Sequence, residues 1–147
     1  MTLQDLDGRY SRRFANMLVG GERLPGTDTL DILRYDDTHA YVAVHLEFFN
    51  GHSCDIEGMA AFIGGALTLE PPELTPGDGR CQVTITPDAR ALRLAAPATA
   101  CQAYCGARGR LDGALLPRAS RKPIPRRAAL MRSQDYRDAV ASLTAPR

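Results

Sequence analysis

The stretch His39–Gly65, HAYVAVHLEFFNGHSCDIEGMAAFIGG, reads as two strands joined by a tight turn. Ala40, Val42, Val44, Leu46 and Phe48 alternate with His39, Tyr41, Ala43, His45 and Glu47. That period of two is what a half-buried strand requires. Asn50-Gly51 follows, the pair most tolerant of the positive φ angles of a hairpin turn. On the return, Cys54, Ile56, Gly58, Ala60 and Phe62 share one face, and Ser53, Asp55 and Glu57 the other. Gly64-Gly65 supplies the next turn.

Working outward, residues 6–18 and 29–35 predict strands one and two. Gly20-Gly21 and Pro25-Gly26 punctuate a loop between them, and Asp36-Asp37 turns into the central hairpin. Residues 66–70 are strand five, and Pro71-Pro72 through Gly79 a loop. In residues 81–86, Cys81, Val83 and Ile85 alternate with Gln82, Thr84 and Thr86 as strand six. Leu92 and Leu94 mark strand seven, and residues 110–116 strand eight.

Eight short strands joined mostly by turns predict an all-β fold, an eight-stranded antiparallel up-and-down barrel of calycin or lipocalin type. A two-sheet sandwich is the rival. Such a barrel is filled by side chains or holds one small ligand. The expected core face is Val42, Val44, Leu46, Phe48, Ile56, Ala60, Phe62, Leu67, Leu69, Val83, Ile85, Leu92 and Leu94.

Pro117 changes the pattern. Residues 1–116 form the barrel domain; residues 117–132 read as a basic linker with Arg118, Arg121, Lys122, Arg126 and Arg127. Residues 133–147 are a helix and tail expected to pack on the barrel's outside. Tyr136, Ala139, Val140 and Leu143 fall at helical spacing after Ser133, a fair N-cap.

The 147 residues suffice for one self-supporting domain. Eighteen basic and seventeen acidic residues leave a net charge of +1, so no global field points to nucleic acid or membrane. The basic linker has no interleaved aromatics, which argues against a nucleic-acid contact. The longest uncharged apolar run, Gly58 to Leu69, is about twelve residues where a bilayer span needs roughly twenty, so no membrane insertion is expected. The start lacks the basic-then-apolar pattern of a signal peptide. Either the protein is cytoplasmic, or a leader precedes the mature chain.

Four cysteines carry most of the remaining information. A meander places turns 1–2, 3–4, 5–6 and 7–8 at one end, and Cys54, Cys81, Cys101 and Cys105 all fall there. Two disulfides, free buried thiols and a zinc site compete. The spacing has no C-x2-C knuckle, so a metal is disfavoured, and no cofactor is expected. If strands six and seven form a hairpin, Cys81–Cys101 is the favoured pairing, leaving Cys54–Cys105, though the connectivity stays open. Asn50, His52, Tyr104, Arg108 and Arg110 lie at the same end and are the candidate partner-binding residues. Arg108 and Arg110 flank Gly109, and arginines there suit bidentate contact with a carboxylate or phosphate. No catalytic residue is assigned. His45 and Glu47 share a face and could hold a metal or move protons, but such a pair is more often a solvated outer face. His52 beside Cys54 could form a nucleophile pair, with no third orienting group in view.

The order NGHxC, a Gly-Gly turn, a Cys-led strand and CxxxCGARGxxxG resembles small exported bacterial proteins related to the LprI-type lysozyme-inhibitor group. Asn50, Gly51, His52, Cys54, Gly58, Cys81, Cys101, Cys105, Gly106, Ala107, Arg108, Gly109 and Gly113 carry the match over roughly residues 40–116. The helical N-terminal part of such inhibitors has no counterpart here. The resemblance implies a periplasmic or secreted location, disulfides rather than thiols, and a non-enzymatic role binding a protein such as a hydrolase, as an inhibitor or immunity factor. A calycin-like carrier of a small apolar ligand is the alternative, and an enzyme at the barrel mouth the third reading.

Overall fold

The computed structural model describes residues 1–71 and 80–144. The expected loop at residues 72–79 and the tail beyond residue 144 lie outside the described residues. Strands β1 (Gly8–Met17), β2 (Arg23–Arg34), β3 (His39–Glu47), β4 (Ser53–Ile63), β5 (Ala66–Leu69), β6 (Val83–Pro87), β7 (Ala91–Ala95) and β8 (Leu115–Pro117) pair in sequence order, each antiparallel to the next. They form a nearly closed up-and-down barrel. Between β1 and β8 the seam is finished by chain just beyond β8: Arg9 and Lys122 exchange backbone hydrogen bonds of 2.7 and 2.9 Å, and Ser120 Oγ accepts from the Ser11 N–H.

The central hairpin has the register its alternation requires. Val42 lies opposite Gly58, Val44 opposite Ile56 and Leu46 opposite Cys54, so the small and apolar side chains of both strands point inward. Asn50 and Gly51 take φ of 58° and 76°, the left-handed conformation that this pair tolerates best. Helix α1 (Leu3–Leu6), closed at its N-terminus by a Thr2–Asp5 capping box, sends Leu3 and Leu6 into the barrel core. The buried Tyr10 hydroxyl donates to the Leu6 carbonyl. None of the buried residues of this core cluster exposes more than 6% of its surface. A void able to hold water would appear as accessible surface on its walls, so among the described residues the lumen is packed by side chains.

Several boundaries move. Pro25 and Gly26 belong to β2 rather than a loop; Gly26 pairs with Phe14, whose ring tip lies 2.5 Å from where a Cβ would sit, so a side chain there would displace the ring. Strand β6 begins at Val83, two residues after Cys81, and β8 has three residues, because residues 110–114 turn instead. Phe48 and Phe62, expected in the core, are half-buried against its rim.

Helices α2 (Arg127–Met131) and α3 (Gln134–Ser142) follow the barrel. Ser133 caps α3 by accepting from the Tyr136 N–H. Tyr136 and Ala139 of α3 bury against Leu33, Tyr41 and Ile124 on the outer wall, with the Tyr136 ring edge-on to Tyr41 at 5.4 Å. The basic segment before α3 is bound along the barrel. Arg118 donates to the Asp88 carbonyl, Arg121 to the Asp7 and Gln4 carbonyls, and Arg127 makes two 2.8 Å bonds to the Asp7 carboxylate.

Candidate functional site

All four cysteines meet at one end of the barrel, as Cys54–Cys105 and Cys81–Cys101. The inward-facing Cys54 opens β4, so its bridge draws residues 99–110 across the mouth. There the Gly106 N–H donates to the Ser53 carbonyl, extending the edge of β4. Gly109 is packed so closely that a Cβ would stand 2.9 Å from the Cys54 sulfur. The glycines flanking the arginines therefore serve close approach. Because the Cys54 sulfur is bonded to Cys105, it carries no thiol, which removes the His52–Cys54 nucleophile pair.

The five candidate partner-binding residues take different stations. Arg108 and Arg110 are exposed, and the Arg108 guanidinium lies over the Phe49 ring, 5.7 Å from its centroid, a favourable cation–π placement. Arg110 donates to the Asp112 carbonyl. The side chain of Asn50 accepts from the Val19 N–H at 3.1 Å and so docks the β1–β2 turn. His52 is half-buried with its ring against Gly106. Tyr104 is half-buried against the core and turned toward a groove on the outer wall.

That groove, about 770 Å³, opens where β4 parts from β5. The two strands pair only along residues 60–63 of β4. Asp55 and Glu57 of β4, Asp135 and Asp138 of α3, and Glu70 give it an acidic wall, with Arg9 and Arg80 at its margin. The Tyr41 hydroxyl donates to Glu57 at 2.5 Å. Burial is the largest influence raising the Glu57 pKa, and neighbouring Asp135 adds to it, so Glu57 holds its proton above the usual carboxylate range.

Beside the groove, His45 is held between carboxylates, with Nδ1 2.5 Å from Asp55 and Nε2 3.1 Å from Glu47. Burial would lower its pKa, but the hydrogen bonds to Asp55 and Glu47 outweigh it and the net shift is upward. With both ring nitrogens engaged, His45 has no lone pair directed at a metal. Glu47 in turn accepts from the Thr27 N–H and ties β2 to β3. Among the described residues, no group of three or more His, Cys, Asp or Glu is placed to hold a metal ion.

Sequence reasoning missed this groove. Asp55 and Glu57 read as the solvated face of a strand, and Asp135 and Asp138 sit one turn apart on a helix whose position no periodicity specifies. Comparison with known protein families, with curated proteins and with solved structures returns no match.

Proposed function

We propose that the protein is an exported, non-enzymatic binding protein whose cysteine-stapled end contacts a protein partner, a lysozyme-type hydrolase being the first candidate through the sequence resemblance. The observation that carries this reading is the fixed loop: two disulfides and the Ser53–Gly106 bond hold residues 99–110, and Arg108 rests on Phe49. A side chain ordered in advance loses less entropy on association, so a preorganised arginine suits recognition of an acidic cleft. Two disulfides are compatible with an oxidising, exported compartment, and among the described residues no helix is long and apolar enough to cross a membrane. The packed lumen weighs against the carrier reading, since a buried ligand would need the volume that Val42, Leu46, Leu69 and Ile85 occupy.

Calorimetric titration of a c-type lysozyme tests the reading directly. Arg108→Glu is expected to weaken binding more than tenfold, which is more than about 1.4 kcal/mol, with the melting temperature nearly unchanged. Absence of binding by the wild-type protein would overturn the lysozyme assignment. Early melting of the variant would make Arg108 a structural residue.

A further inference from the structure

We propose that the contact surface extends from the arginine loop onto an apolar platform of Val19, Leu24 and Phe49, and that it fits a folded protein whose apolar patch is rimmed by carboxylates. The inference rests on the binding role proposed above and deepens it. The three side chains are 72%, 48% and 39% exposed. A single exposed apolar residue is ordinary. These three, however, lie at or beside two turns that the fold ties together: Leu24 stands opposite Asn16 next to the β1–β2 turn, and Phe49 opens the β3–β4 turn. Asn16 Nδ2 donates to the Phe48 carbonyl at 2.8 Å, and the Val19 N–H donates to the Asn50 side chain. Two turns far apart in the chain thus present their apolar side chains at one end, the arrangement that marks an interaction surface.

The surrounding charge indicates the partner's chemistry. Arg108 and Arg110 are both exposed, and among the described residues neither forms an ion pair. Glu22 is the one exposed acid on the described turns 17–23, 48–52 and 96–114. Arginine beside aromatic and aliphatic side chains is the composition of an interface centre, and its sign calls for carboxylates opposite. A folded protein is favoured over a lipid surface because the platform is held in shape. The hydrogen bonds between the turns, the two disulfides and the stacking of Arg108 on Phe49 preorganise it. Preorganisation raises affinity for a partner of fixed shape, whereas a fluid bilayer adapts to a mobile loop equally well.

The test compares the wild-type protein with Val19→Asp/Leu24→Asp and Val19→Ser/Leu24→Ser, titrated against a c-type lysozyme and against phosphatidylglycerol vesicles. Both double variants are expected to weaken lysozyme binding at least tenfold with the melting temperature retained, and wild-type binding should weaken as salt rises. The serine pair removes apolar area without adding charge, so it decides the question even if the aspartates disturb folding. Wild-type binding that both variants share overturns the platform while leaving the arginine-loop reading intact. No lysozyme binding by the wild-type protein overturns both. Vesicle binding lost in the variants, without lysozyme binding, replaces the protein partner by an anionic lipid surface.

Discussion

Asp7 shows how much one side chain can hold together. Its carboxylate accepts two bonds from Arg127 and one from the Arg34 N–H, while its carbonyl accepts from Arg121. The start of β1, the end of β2 and the segment leading into α2 thus meet at a single residue. Burial alone would raise its pKa, but the bonds from Arg127 and Arg34 outweigh that and hold it below the usual carboxylate value. A depressed folded-state pKa contributes stability above the unfolded value, and the contribution is lost as pH falls through the folded one. Asp7→Asn is therefore expected to cost about 1–3 kcal/mol at pH 7 in urea denaturation. The gap to wild type should close as pH drops below about 4. A gap that is constant with pH would mean that the carboxylate charge contributes nothing.

At the scale of elements, α3 owes its place to its apolar stripe. Nine residues are too few for a stable isolated helix, so its order comes from Tyr136 and Ala139 on the barrel wall. Tyr136→Ala removes the edge-on contact with Tyr41 and should cost about 2–3 kcal/mol. It should also open the C-terminal segment to limited proteolysis while the barrel's melting stays cooperative. The same helix closes one side of the acidic groove, so its detachment would return Glu57 to water and lower its proton affinity. Cleavage resistance equal to wild type would indicate that the hydrogen bonds around Ser133 anchor α3 instead.

For the whole molecule, the two disulfides govern the stapled end. Cys81–Cys101 closes 20 residues and Cys54–Cys105 closes 51. In the chain-entropy picture these are worth about 3 and about 4 kcal/mol respectively. Replacing the Cys54–Cys105 pair by serine is expected to lower the melting temperature more than replacing Cys81–Cys101. It should also release the Arg108 loop and abolish partner binding. Unreduced mass spectrometry after alkylation, with no thiol labelled, checks the starting state. Equal losses from the two replacements would show that loop length does not set the stabilisation.

The sequence by itself determined the barrel, its strand order, the inward face of the central hairpin and the end at which the cysteines gather. Each of these follows from local facts: side-chain period, turn chemistry and the rule that a meander alternates its ends. A cysteine's end of the barrel is set by strand count alone, which is why their convergence was legible, while the pairing stayed open until the structure joined Cys54 to Cys105 and Cys81 to Cys101. The binding role proposed above is for titration, not the fold, to test. Only the tertiary structure decided what depends on packing between distant segments. Pro25-Gly26 lies in a strand because β1 continues opposite it as far as Met17. Asn50 docks a neighbouring turn, and the basic stretch after Pro117 lies along the barrel because Asp7 and Asp88 offer it acceptors. The acidic groove exists because α3 settles beside β4, which no periodicity within either segment encodes. Hydrophobic alternation specifies which face is buried, but not which segment will cover the other face.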